Sequence, residues 1–186
     1  MYLKGQLLKV CFSLINSKSF SKNNFFIYKG YKSQPTSVAA QPVGFEAAKK
    51  AAEERIVNLR TQHTSSIPQN QVIISVENFV YEATPASWYD SGYLLLDDPL
   101  SGIKLDIYTQ STPIPKVCVN QLKFETPSDY PLEKTGFSNT LGQAMSQHLK
   151  VNHDEWHQAW IGIDRKKLIY QASFALANLY KSKLNR

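Results

Sequence analysis

The feature that most constrains this chain is the segment Gln71–Tyr81, QVIISVENFVY, in which Ser75, Glu77 and Asn78 interrupt an otherwise apolar, β-branched run. Residues of this type fit a pleated surface covered on both sides, so the segment reads as a long central strand. Glu77 stands out in it, because burying a charge is costly unless the charge is paired or binds a cation. Two readings stay open. The carboxylate holds Mg²⁺ and so neutralises a triphosphate, or the strand ends there and Glu77 reaches solvent.

The flanking sequence supplies the cover. The turn-forming Ser33-Gln34-Pro35-Thr36-Ser37 marks the entry to the folded region. After Gly44, the residues Ala48, Ala52, Ile56 and Leu59 recur at helical spacing, with Lys49, Lys50, Glu53 and Glu54 on the other face. Glu46 and Lys50 add an i,i+4 pair. Beyond the central strand, Gly92–Leu96 and Ile103–Tyr108 read as arms of a hairpin, with Asp97-Asp98 in a solvated tip. The second arm alternates Ile103, Leu105 and Ile107 with Lys104, Asp106 and Tyr108, so one of its faces is exposed.

Thr112-Pro113-Ile114-Pro115 opens a short helix through Val117 and Leu122, and Asn139–Lys150 reads as another. Gln158–Ile163 reads as a short strand. Asp164 caps a last helix whose apolar stripe is Leu168, Ala172, Ala175, Leu176 and Leu179, up to Tyr180. The expected fold is α/β, a mixed central sheet flanked by helices.

Composition narrows the function. The chain is 42% apolar and 19% charged over 186 residues, the profile of a folded domain. Apolar runs such as Tyr93–Leu96 fall far short of the roughly 18 residues that span a bilayer, so no transmembrane segment is expected. Six lysines and no acid lie between Met1 and Phe45, which leaves 15 basic against 15 acidic residues in the remainder. A neutral globular part argues against a nucleic-acid polymer as partner. The basic N-terminal segment, residues 1–38, has no arginine of the kind transit peptides favour and no uninterrupted signal core. It is read as a divergent, flexible or wrongly joined segment ahead of a domain at 39–186. Cys11 and Cys118 have no paired spacing, so each is expected to be a small buried hydrophobe in a reducing compartment.

His153-Asp154-Glu155-Trp156-His157 places two histidines four apart, but Asp154 stands where the zinc-protease pattern needs glutamate. These are read as ordinary, partly exposed histidines. No nucleophile elbow, P-loop or dinucleotide turn occurs.

Gln41-Pro42-Val43-Gly44, the helix carrying Arg55, and a strand ending in Glu77 resemble the Q-P-x-G element and following strand of the inosine/xanthosine triphosphatase family. A second set of segments extends the likeness: Trp88-Tyr89-Asp90-Ser91-Gly92, Asp98-Pro99, Thr109 to Pro115, Trp156-His157, and the tail from Arg165 to Lys181. It is similar to the C-terminal domain of the proline-rich and coiled-coil-containing protein 1 family, a divergent branch of that superfamily. The resemblance implies the triphosphatase fold, with the first strand and its phosphate loop lost or degraded. If active, phosphate would be held by Lys18, Gln41, Gly44 and Arg55, and Mg²⁺ by Glu77.

The departures are as informative. The family's T-x-N-P-x-K loop is reduced to Ile15-Asn16-Ser17-Lys18, and Ala48, Ala51 and Glu54 stand at the family's Thr, Gly and Asn positions. Glu54 brings the wrong sign toward a phosphate. The T-x-G segment before the last helix is replaced by Trp160-Ile161-Gly162-Ile163-Asp164. The expectation is therefore a pseudoenzyme, a non-catalytic interaction domain with no cofactor. The resemblance implies a cytoplasmic protein, peripheral at Golgi and early secretory membranes. It also implies protein partners: a regulatory subunit of protein kinase A, and a second copy in a homodimer. The alternative is a Mg²⁺-dependent nucleoside triphosphatase acting on ITP and XTP.

Overall fold

A computed structural model describes residues 10–15, 27–32 and 36–185. Along the chain they form strands β1 (Val10–Ile15), β2 (Ile27–Lys32) and β3 (Gln41–Pro42), then helix α1 (Phe45–Gln62). Strands β4 (Val72–Thr84), β5 (Ser87–Asp98), β6 (Ile103–Tyr108) and β7 (Thr112–Pro113) follow. Helix α2 (Lys116–Glu125), strand β8 (Gly136–Phe137) and helices α3 (Leu141–Leu149), α4 (Trp156–Ile161) and α5 (Arg165–Leu184) complete it.

The main sheet runs β2-β1-β4-β5-β6, with β7 paired to β5, and every pairing in it is antiparallel. The fold is the expected mixed α/β class. β4 takes the central place read from its composition, with β1 along one edge and β5 along the other. That first edge is therefore paired, by strands drawn from the basic N-terminal segment. A separate two-stranded ladder joins β3 to β8.

Strand alternation divides the core between two faces. On one face, Ala48, Ala52, Ile56 and Leu59 of α1 pack on Ile73, Phe79, Tyr93 and Leu95. On the other, Ala172, Leu176 and Tyr180 of α5 pack on Val72, Ile74, Val76, Leu94 and Leu96. Further along β4, Val80 meets Cys118, Val119, Leu122, Leu141, Met145 and Trp156 from α2, α3 and α4. Cys118 is the expected small buried hydrophobe, and burial pushes its thiol pKa up. The α5 stripe is Leu168, Ala172, Leu176 and Tyr180, a strict four-residue repeat, while the expected member Leu179 is 47% exposed. Asp164 caps α5 as expected, accepting from the Lys166 N–H at 2.8 Å.

Two expectations fail. Gln158–Ile163 is not a strand. Gln158–Ile161 belongs to α4, which buries Trp156 and His157 and stops at Gly162 in the left-handed region (φ 73°). The tip aspartates are not both solvated either. Asp98 is 4% exposed and accepts from the Leu100 N–H (3.0 Å), the Ser101 N–H and hydroxyl, and the Tyr180 hydroxyl (2.6 Å). An Asp side chain that binds the backbone two residues on builds its own turn.

Burial raises the Asp98 pKa, but the hydrogen bonds from Ser101, Tyr180 and the backbone outweigh it and hold the carboxyl below its ordinary value. A depressed folded-state pKa contributes stability that is present above the unfolded value, about 4, and is lost as pH falls through the folded one. In Asp98→Asn this part of the acid dependence is expected to vanish. Urea unfolding from about pH 6 to pH 2.5 reads it; superimposable slopes for the two proteins would contradict it.

Candidate functional site

Neighbouring residues of β4 project to opposite faces, so Glu77 and Asn78 enter two separate polar constellations. Beneath α1, the Arg55 guanidinium Nε ion-pairs with Oε2 of Glu77. The side chains are 5% and 0% exposed. Helical spacing puts Arg55 on the buried face of α1 with Ala48, Ala52 and Leu59. Glu77 thus neither ends the strand nor reaches solvent. Nor does this setting fit Mg²⁺, which demands near-ideal octahedral oxygen ligation and keeps several waters. A cation there would have to displace a guanidinium from a carboxylate with no exposed surface. Among the described residues, no group of three or more His, Cys, Asp or Glu side chains is placed to hold a metal ion.

The second constellation occupies the opposite face, in the seam between the α5 cluster and the α2–α4 cluster. Asp90 Oδ2 lies 3.0 Å from Nε2 of His157, and both residues are buried. With Asp90 ionised, Nε2 carries the proton and donates. Asn78 Nδ2 donates to both Asp90 oxygens at 3.4 and 3.3 Å, and Asn78 Oδ1 accepts from Nη2 of Arg165. The result is a continuous chain, Arg165 to Asn78 to Asp90 to His157, tying the starts of α5 and α4 to the sheet. His157 also stacks on Trp156, with ring centroids 3.6 Å apart.

This chain forms one wall of a cavity that Gln41, Thr140, Gly142, His153 and Asp154 also line. Nδ1 of His157 and Nε of Arg165 are buried without a hydrogen-bond partner. Burial pulls the Arg165 guanidinium below its ordinary pKa, opposed by the charges of Asp90 and Glu77. An Asp–His pair of this geometry orients an imidazole as a general base requires. Among the described residues, however, no hydroxyl or thiol is hydrogen-bonded to either ring nitrogen.

The residues expected from sequence are thus dispersed. Gln41 reaches the cavity, where its Oε1 accepts from the Leu141 N–H at 2.8 Å. Gly44 instead turns the chain into α1 at φ 84°, its N–H donating to Val80 O at 2.8 Å. Arg55 and Glu77 meet on the far face, and Lys18 lies outside the described residues. Glu54 takes the Ser37 N–H and hydroxyl, each at 2.6 Å. His157, expected to be partly exposed, is 2% exposed, and Asp90 pairs its Nε2 inside the core. Asn78, Asp90 and Arg165 have no role in the expected site. Asn78 and Asp90 lie on adjoining strands, but Arg165 is 87 residues from Asn78, and the available signals are the amide in β4 and the place of Asp90 and Arg165 in the segments that carry the resemblance.

Sheet, helices and cavity define a mixed α/β domain whose main sheet is antiparallel. No protein-family profile matches the chain. It is similar to the crystal structure of protein VC0702 from Vibrio cholerae, with a TM-score of 0.50 at 16% sequence identity, covering 74% of this chain and 68% of that one. At that identity the likeness concerns the fold. Among the described residues no helix is long and apolar enough to cross a membrane.

Proposed function

We propose that this chain is a non-catalytic interaction domain on the inosine/xanthosine-triphosphatase plan, similar to the C-terminal domain of proline-rich and coiled-coil-containing protein 1. The observation that carries this reading is the buried Arg55–Glu77 pair. These are the phosphate and metal residues that the resemblance retains, and they neutralise each other under α1. Phosphate hydrolysis rests on positioning and charge stabilisation around the transferred group, which a sealed pair does not offer. The proposed partners are a regulatory subunit of protein kinase A and a second copy of the chain. The proposed location is the cytoplasmic side of Golgi and early secretory membranes.

The test pairs a phosphate-release and thermal-shift assay with a titration against the purified kinase regulatory subunit. ITP, XTP and ATP, with and without Mg²⁺, are expected to give neither turnover nor a Mg²⁺-dependent shift, while the regulatory subunit binds. Mg²⁺-dependent release lost in Glu77→Gln would instead establish a triphosphatase and overturn the reading.

A further inference from the structure

β6 is the last strand of the sheet, and among the described residues nothing pairs with its outer edge. Its geometry specifies what can. The Thr109 N–H donates to Gly92 O, which fixes the alternation of the ladder. In an antiparallel strand the N–H and C=O of one residue point the same way. Ile103, Leu105 and Ile107 therefore bond inward to β5, and Lys104, Asp106 and Tyr108 present their backbone groups outward. The same outward residues carry the exposed side chains, on the α1 face of the sheet. Ile103, Leu105 and Ile107 are half-buried at the margin of the α5 cluster.

The edge has no proline, bulge or inward-pointing charge, and its exposed charges are the opposite pair Lys104 and Asp106. It is also self-complementary. Outward groups must face outward groups, so an isologous pairing centred in the strand has three registers, about Lys104, Leu105 or Asp106. The first sets Lys104 against its own copy, and the third does the same with Asp106. Like charges directly opposite destabilise a ladder. Only the register about Leu105 sets Lys104 opposite Asp106 twice over. That register also places Leu105 on Leu105 and Ile103 on Ile107, extending the apolar face under the two α5 helices.

We propose that the outer edge of β6 pairs antiparallel with β6 of a second copy, in the register that sets Lys104 opposite Asp106. This deepens the homodimer named above, yet it stands on the strand edge and is tested apart from nucleotide or kinase binding. Lys104 also meets Glu53 at 2.8 Å, with the two side chains 50% and 37% exposed. An ion pair that exposed holds the lysine only weakly.

The test is sedimentation velocity from about 1 to 100 μM, where mass action makes a dimer visible. The wild-type chain is expected to dimerise. Lys104→Asp and Asp106→Lys each place like charges opposite one another, and each is expected to raise the dimer dissociation constant about tenfold or more. Carrying both substitutions in one chain restores the pairing, as does mixing the two single variants in equal amounts. Asp106→Lys leaves the Lys104–Glu53 contact in place, so its unchanged melting temperature separates lost association from lost folding. A monomeric wild type, single variants that dimerise as well as wild type, or a charge swap that restores nothing would each overturn the proposal. So would an edge that binds a foreign extended peptide and not its own copy.

Discussion

Replacing Arg55 with alanine is expected to lower the unfolding free energy by about 3–5 kcal/mol, because it leaves the Glu77 carboxylate beneath α1 without its guanidinium. The desolvation of a fully buried carboxylate is then no longer offset by its ion pair. Combining Arg55→Met with Glu77→Leu in one chain is expected to recover most of the loss, since apolar groups of similar volume need no counter-charge. For a chain of this size the single substitution shifts the midpoint by about 2–4 °C per kcal/mol. Urea unfolding with an unchanged m-value measures it directly. A cost below about 1 kcal/mol would mean that neighbouring groups, not the guanidinium, hold the carboxylate.

Gly136→Ala is expected to be nearly as damaging, for a steric reason. Gly136 adopts φ 148°, and an added Cβ would lie 1.9 Å from Gln41 O and 3.0 Å from Val43 N. Those atoms are backbone, so no rotamer change relieves the contact. Crowding of this kind costs about 1–3 kcal/mol or more, and the unusual φ adds about as much again. Gly102→Ala is the control. Its φ is 68° but nothing lies within 4 Å of the added carbon, so only the backbone contribution of about 1–3 kcal/mol should appear. Equal losses at the two glycines would show that the β3–β8 ladder yields to the intrusion. The ladder matters because it delivers Gln41 to the cavity.

Much of the architecture is legible in residue order. The four-residue spacing of Ala48, Ala52 and Ile56 identifies α1, and β-branched density identifies β4, since those patterns arise from contacts within each element. α4 reads falsely as a strand because a six-residue helix offers less than two turns of pattern. Trp156 and Trp160, four apart, are the correct signal. Asp98 reads falsely as solvated because its burial depends on Tyr180, 82 residues away. The site is harder for the same reason. Arg55 and Glu77 are recognisable singly, but only the register of α1 on β4 shows that they close on each other. The chain from Arg165 to His157 needs two helices and two strands assembled before its members are near neighbours.

The order in which contacts span the sequence also bears on how the molecule assembles. β4, β5 and β6 are joined in succession by short turns, so their pairing closes small loops and can form early. The Gln41–Leu141 hydrogen bond closes a loop of 100 residues. A contact of such long range is expected to form late in folding and to be poorly developed in the transition state. Substitutions at Gly136 should consequently accelerate unfolding while leaving the refolding rate almost untouched, whereas substitutions in the β4–β5 hairpin should slow refolding. The lifetime of the native state should then respond to the small β3–β8 ladder, whose Phe137 packs against the cluster around Val80.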